Sequence, residues 1–387
     1  MTTKTVSVWQ RVRIWATAHA VDDFYQGLVP AMIPFFILER NYTYVAASAL
    51  AMAATLGSSL PQPFLGVAAD RRNASWMAPI GLAIAGAAAG LSGAIPAYAV
   101  VWVLLLASGI GAAMFHPAAG KEVRAEAGDS ATAMSLFAAG GSVGFFLAPA
   151  LATPLLVGFG LAASVVFVPP AVVMAVLLAR HQRTRTQAVT ASTEHSGNDR
   201  WGPFVLVAGV GVVRSIVSSG VMTFVAMYWI EHLGASTAMG GAALTCFLVG
   251  GVIGTLAGGR IGDRFGAVRA AQWGSVAMVP ALLATRAVGD AYLALALIVL
   301  AGVAANLPFA VLVKLGQDYL PSKPGTAAGV TLGLAVSAGG LLVPVLGAVA
   351  DSGGPESVLT VLCVVPVIAV AFAAFLPAPA RDRALVG

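Results

Sequence analysis

The sequence predicts an all-α membrane protein: twelve transmembrane helices in two pseudo-symmetric six-helix bundles. Three observations predict it. Hydrophobic residues make up 59% of the 387-residue chain and charged residues only 10%, with mean hydropathy +0.89, whereas a soluble domain carries about 25% charged residues. The charges are missing from long blocks such as Asn73 to Phe115 and Ser130 to Ala179, each long enough for two helical spans of about 20 residues. The apolar runs show no alternation of period two, which argues against short barrel strands.

The spans follow from these blocks in order: 14–38, 43–69, 75–93, 97–120, 130–157, 160–180, 202–230, 237–258, 270–287, 291–314, 325–350 and 355–376. Gly93 to Pro96 breaks the first long block, and Val157 to Gly160 breaks the second. Between the sixth and seventh spans, His181 to Arg200 is polar and without apolar periodicity, so it reads as a flexible cytoplasmic linker. The expected organisation is an N-terminal bundle 1–180, a linker 181–200 and a C-terminal bundle 201–387.

Orientation follows from the Lys and Arg residues, which favour the cytoplasmic side. With the N-terminus inside, 21 basic residues distribute so that only Arg40 and Arg286 lie outside and only Arg214 lies within a span. Both termini are therefore expected in the cytoplasm, with the chain multi-pass in the inner or plasma membrane. The net charge of +5 reflects this asymmetry. Nucleic-acid binding would need a soluble basic surface, which is missing. Ala18-His19-Ala20 matches a small-x-small cleavage pattern, but the apolar run continues past it through charged residues, so uncleaved insertion is expected. Cys246 and Cys363 both fall within spans and read as packing residues. No disulfide, metal site or cofactor is expected.

The first span carries an unusual burden. His19, Asp22, Asp23 and Gln26 lie inside the apolar run Ile14 to Leu38, and charges inside a span are costly and mark ion or proton pathways by default. Positions 19, 23 and 26 share one helix face, while Asp22 points about 100° away from Asp23. Asp23 is about 13 Å from the span's start and Arg214 about 18 Å into span seven, at 1.5 Å per residue. Asp23 and Arg214 are therefore expected to face a central cavity, where moving the arginine or a substrate would load or release a proton. The alternative is a structural Asp–Arg pair. Asp23 is the expected proton carrier, with Asp22 as fallback and His19 beside it.

His116 precedes Pro117 near the inner end of span four. Histidine titrates near physiological pH and proline kinks a helix, so the pair reads as a gate or proton entry. The plainer alternative is a histidine bonded to a neighbouring helix, with the proline ending the span. Candidate cavity residues are Tyr25, Gln26, Phe36, Met114, Phe224, Tyr228, Trp229 and Asn306. Positions 224 and 228 share a face, which suits an amphipathic organic substrate.

The two halves repeat. Gly66-Val-Ala-Ala-Asp70-Arg71 follows span two, and Gly259-Arg-Ile-Gly-Asp263-Arg264-Phe-Gly266 follows span eight, half a chain later. Gly140-Gly141-Ser-Val-Gly-Phe-Phe-Leu-Ala-Pro149 in span five is echoed by Gly339-Gly340-Leu-Leu-Val-Pro344 in span eleven. Half-length repeats and a polar midplane point to a transporter built from two related bundles. The glycines of span five would let helices approach closely.

These paired loops resemble the signature loop of the major facilitator superfamily, and the resemblance covers the whole chain. His19-Ala-Val-Asp-Asp23-Phe-Tyr-Gln-Gly27, Met114-Phe115-His116-Pro117, Arg214-Ser215 and Gly316-Gln-Asp-Tyr-Leu-Pro321 resemble its fosmidomycin-resistance branch. The resemblance implies a proton-coupled exporter of drugs. It implies that the glycine-rich fifth span resists proton leak, and that Asp70, Arg71, Asp263 and Arg264 gate the cytoplasmic side by docking near Thr326 and Ser130.

The functional expectation is a proton-coupled antiporter exporting small organic compounds or drugs. Its partners are then a small-molecule substrate, protons and the bilayer, and the chain is expected to act as a monomer. Arg214, Gln26, Tyr25, Phe224, Tyr228 and Asn306 are the expected substrate residues. An uptake symporter or facilitator for a small polar or anionic nutrient is the alternative within the same fold. A membrane-embedded enzyme is disfavoured, because no HExxH, GxSxG or GxxxxGK[ST] pattern occurs.

Overall fold

The computed structural model describes residues 8–71, 76–127, 131–183, 198–322, 327, 330–331 and 335–377. Helices occupy nearly all of it, and there is no strand among the described residues. In order they are α1 (Val8–Arg40), α2 (Tyr44–Ser59), α3 (Gln62–Arg71), α4 (Met77–Ser92), α5 (Tyr98–Ala127) and α6 (Ala131–Phe159). A 3-10 stretch, Leu161–Phe167, leads into α7 (Val168–Arg183). Then come α8 (Trp201–Met227), running into a π turn at Tyr228–His232, α9 (Thr237–Phe265), α10 (Ala267–Ala287) and α11 (Ala291–Tyr319). The last are α12 (Ala335–Val364) and α13 (Pro366–Ala374).

Among the described residues, nine helical segments are long and apolar enough to cross a membrane. One of these, Ser337–Ala374, holds two spans, because Gly354 turns the chain inside it at φ +76°. The shorter apolar α4 and the arginine-bearing α10 complete the twelve. The span limits move where proline or glycine intervenes. Span two is two helices, α2 and α3, separated at Leu60 and Pro61, since proline fits a helix's first turn but not its interior. Pro117, by contrast, does not end span four: α5 continues to Ala127. The Gly259-to-Arg264 motif is helical, the end of α9, and the turn falls at Gly266 (φ +95°).

The internal repeat is visible in the backbone. Gly160 and Gly354 adopt the same left-handed conformation, φ 76° with ψ 172° and 171°, at the turns between spans five and six and between spans eleven and twelve. Only glycine enters that region cheaply.

The chain divides into two compact units. One comprises Met1–Phe35 and Ala53–Ser192, the other Phe36–Met52 and Thr193–Gly387. In the first, Trp15, Leu82, Phe115, Phe137 and Leu178 form a buried core between α1, α4, α5, α6 and α7. In the second, Phe204, Val207, Leu312, Leu315, Tyr319 and Ala369 do the same for α8, α11 and α13. Glycines set the helix spacing, as expected where lipid gives no hydrophobic drive to association. Gly250, Gly254 and Gly258 of α9 rest on the backbone of Val299, Val303 and Leu307 of α11. Gly140 and Gly144 of α6 rest on the backbone of Ala16 and Ala20 of α1, and Gly339 of α12 rests on Ser215 of α8 in the same way.

Candidate functional site

The first unit gathers the polar residues of span one around Asp23. The helical i, i+4 spacing brings His19 Nε2 to 3.3 Å from Asp23 Oδ2. One turn further on, Gln26 Nε2 donates to Asp23 Oδ1 at 2.8 Å. From α5, His116 Nε2 approaches Asp23 Oδ1 at 3.1 Å. The Phe-His-Pro motif therefore faces span one.

The remaining contacts fix the ring orientations. His19 Nδ1 lies 2.8 Å from the Phe137 carbonyl, and the His19 ring stacks on Phe137 with centroids 4.2 Å apart. His116 Nδ1 lies 2.8 Å from the carbonyl of Ala112, one turn back on α5. A carbonyl oxygen only accepts, so each Nδ1 must carry the hydrogen. Both Nε2 atoms then face a carboxylate that, when ionised, also only accepts. His19 and His116 rings meet edge-on at 5.1 Å, closed in by Phe115.

Asp22 is fully buried, with 0% exposure, and neither of its oxygens has a hydrogen-bond partner. His116 Nδ1 lies 3.8 Å from Asp22 Oδ2, too far for a hydrogen bond. Among the described residues, no Lys or Arg forms an ion pair with Asp22 or Asp23. The sequence reading expects no metal site. The fold nevertheless brings one candidate together: ligand atoms of His19, Asp23 and His116 all lie within 4.8 Å of one another.

Room for this cluster comes from α6. A Cβ on Gly141 would sit 2.6 Å from His19 Nε2 and against Asp23 Oδ2. Its neighbours Gly140 and Gly144 meet only the α1 backbone at closest approach. The span-five glycines thus have two separable jobs, helix packing and clearance for polar side chains.

In the second unit, Arg214 of α8 is 7% exposed. Its Nη1 donates to Asn306 Oδ1 at 3.3 Å, and its guanidinium carbon lies 4.7 Å from the centre of the Phe309 ring. Asn306 Nδ2 in turn donates to the Gly302 carbonyl at 3.1 Å, which holds the amide's orientation. Arg214 Nε and the nearby Ser218 hydroxyl are buried with no hydrogen-bond partner. A charged guanidinium resting on an aromatic face with an unused donor is suited to hold an anion.

The other expected residues fall as follows. Tyr25 is buried and donates from its hydroxyl to the Phe167 carbonyl at 2.6 Å. Phe224 and Tyr228 line a narrow apolar crevice with Gly220, Pro355, Val358 and Leu362. Tyr228 also donates to the Arg286 carbonyl at 3.3 Å and stacks on His232. Asp263 and Arg264 are exposed in the last turn of α9, with Arg264 over the Phe265 ring at 5.2 Å. Asp70 and Arg71 lie on α3, but their side chains, like Ser130 and Thr326, fall outside the described residues.

Sequence reasoning missed several residues that shape these clusters. Phe309 and the clearance role of Gly141 carry no sequence signal of their own. The ion pair of His232 with Glu356, joined by Arg286 at 3.7 Å, was legible only as charges at span ends. Asp351 accepts from the backbone N–H groups of Tyr44 and Val45 at 2.7 and 3.1 Å, capping α2.

Comparison with known proteins agrees with this architecture. The family model of the Major Facilitator Superfamily matches residues 16–217 and 207–386. A Bacillus subtilis (strain 168) protein described as the uncharacterized MFS-type transporter YfnC is 26% identical over 97% of this chain and 95% of its own length. The fosmidomycin resistance protein of Escherichia coli (strain K12) is 25% identical, covering 91% and 89%. Among solved structures, a bacterial homolog of the human lysosomal transporter Spinster, inward-facing and occupied, superposes with TM-score 0.76 at 15% identity over 94% and 95% of the chains. A point mutant of the nucleoside transporter NupG superposes with TM-score 0.73 at 15% identity over 95% and 100%. With a two-part match from residue 16 to residue 386 and twelve spans in repeating halves, the chain belongs to the Major Facilitator Superfamily and is a multi-pass membrane transporter of small molecules, not an enzyme.

Proposed function

We propose that the protein is a proton-coupled antiporter that exports small organic compounds, drugs among them, by alternating access. The observation that carries this reading is the set of acceptors around Asp23. With both Nδ1 hydrogens committed to backbone carbonyls, the Nε2–carboxylate approaches at 3.3 and 3.1 Å become hydrogen bonds only when a proton lies between them. Without that proton, lone pairs oppose one another in a low-dielectric setting, where unpaired polar groups are expensive. Gaining or losing a proton therefore changes which arrangement of α1, α5 and α6 is stable. That is the property a coupling site needs.

Arg214 supplies the substrate end in this reading. A buried guanidinium with a free donor, oriented by Asn306 and Phe309, favours substrates bearing a carboxylate, phosphonate or similar acidic group. The 25% identity to a fosmidomycin resistance protein supports export over uptake. The excess of Lys and Arg at one face supports cytoplasmic termini in the plasma membrane.

The test is transport by purified protein in proteoliposomes, with an imposed pH gradient, a panel of drugs and a lumenal pH indicator. Substrate movement against its gradient, accompanied by opposite proton movement, is the expected result. Movement of substrate and proton in the same direction would replace the antiporter with the symporter alternative.

A further inference from the structure

We infer that the cluster His19, Asp23 and His116 is also a binding site for a divalent transition-metal ion of the Zn2+ or Co2+ type. This rests on the reading above that the cluster is the cation site of the first unit, and adds a ligand to it.

The geometry is that of a three-ligand site. In tetrahedral zinc centres the ligand atoms lie about 2.0–2.2 Å from the metal, so neighbouring ligands are about 3.3 Å apart. His19 Nε2 lies 3.3 Å from Asp23 Oδ2 and His116 Nε2 3.1 Å from Asp23 Oδ1, one histidine to each carboxylate oxygen, and one ligand atom from each of the three residues lies within 4.8 Å of the others. Both imidazoles offer Nε2, while Nδ1 is bonded to a backbone carbonyl at 2.8 Å in each case. That arrangement fixes tautomer and ring orientation in established metal sites. Imidazole with carboxylate favours zinc, cobalt or copper over magnesium or calcium.

Charge provides a second, independent argument. Asp22 is wholly buried with both oxygens unpartnered, and the His116 ring nitrogen Nδ1 lies 3.8 Å from it. With neutral histidines, Asp22 and Asp23 leave two negative charges that no Lys or Arg offsets among the described residues. Two protons or one divalent cation would neutralise them. A side chain at Gly141 would press on His19 Nε2 and Asp23 Oδ2, so glycine at this position keeps both ligand atoms unobstructed.

The experiment uses full-length protein in detergent, freed of any affinity tag and stripped with chelator. Co2+ is added as the spectroscopic probe, and Zn2+ for X-ray absorption of the wild-type adduct. One equivalent of Co2+ with the visible bands of a low-coordinate nitrogen–oxygen site is expected, as is a zinc spectrum reporting two imidazoles. H19Q and H116Q should each abolish stoichiometric binding, and Asp22→Asn should weaken it, because it removes one of the two buried negative charges that the ion offsets. The wild-type zinc spectrum decides the matter even where a variant fails to fold. Absence of bound metal in the wild type overturns the inference, as does a zinc spectrum without two imidazoles. Binding unchanged in both histidine variants overturns it too. Proton-driven transport measured with chelator present is a separate readout, so loss of the metal site and loss of the coupling site are told apart.

Discussion

His116 Nε2 lies 3.1 Å from Asp23 Oδ1, although the two residues are 93 positions apart and sit on different helices. This contact joins the most polar turn of α1 to the middle of α5. It turns a histidine beside a proline into a partner of the most exposed carboxylate of the cluster. Pro117 follows inside a helix that continues for several turns. Since proline cannot donate to the carbonyl one turn back, α5 is locally pliable where it presents His116.

The first prediction concerns Asp23. Asp23→Asn keeps the shape and the acceptor for Gln26 but removes the charge that draws in His19 and His116. The variant should insert and fold, exchange substrate down its gradient, and lose uphill, pH-driven transport. Uphill transport at the wild-type rate would move the proton to Asp22, where Asp22→Asn should then show the loss.

Clearance gives a second prediction. Gly141→Ala drives a methyl group against His19 Nε2 and Asp23 Oδ2, whereas Gly144→Ala drives one into the α1 backbone at Ala20. Overpacking costs about 1–3 kcal/mol. Gly144→Ala should therefore lower the melting temperature, while Gly141→Ala should lower coupled transport more than stability. Equal thermal losses with equal transport losses would make both glycines packing residues only.

Much of this was legible in the chain. Twelve spans follow from charge-free blocks, and the shared face of His19, Asp23 and Gln26 follows from 3.6 residues per turn. The approach of His116 to Asp23 was not legible, because it depends on how α5 packs on α1, which no local pattern encodes. Span two read as one run because apolar content is blind to the break at Pro61. The Gly259-to-Arg264 motif read as a loop because its glycines and charges are turn-like, yet α9 carries them to Gly266, where the positive φ stops the helix. Phe309 beneath Arg214 could not be singled out among many apolar residues, since a cation–π partner looks like any core aromatic.

Arg214 carries a third prediction. Hydrogen bonds to a charged group contribute about 1.5–3 kcal/mol, so Arg214→Ala should weaken binding of acidic substrates roughly ten- to hundredfold. Arg214→Lys should recover part of it, because an ammonium keeps the charge but loses the planar face over Phe309 and the forked donors. Competition binding with acidic and neutral members of one compound series measures this. If both lose affinity equally, Arg214 orders the unit and does not contact the acid.

A fourth prediction tests the cap on α2. Asp351 accepts from two consecutive N–H groups at the start of that helix, a role worth about 0.5–2 kcal/mol. Asp351→Ala should speed amide exchange at Tyr44 and Val45 selectively, and Asp351→Asn should restore part of the protection. Exchange that stays at the wild-type rate in the alanine variant would show that the carboxylate does not hold the helix start.

Asp263 carries the last prediction. It is exposed in the final turn of α9, between Arg260 and Arg264, where a carboxylate faces the negative end of the helix dipole. Such a placement is unfavourable by about 0.3–1 kcal/mol. We propose that its return comes from a contact made in one state of the transport cycle, which makes Asp263 a gating residue. Asp263→Asn should then leave α9 slightly more stable in itself while shifting the carrier toward the inward-open state. A loss of about 1.4 kcal/mol would shift the ratio about tenfold. Substrate affinity should fall only through the population of the competent state. Accessibility of single cysteines in the inner vestibule, in a background lacking Cys246 and Cys363, reads the shift directly. Unchanged labelling with substrate affinity weakened in every state would assign Asp263 to the binding site and remove it from the gate.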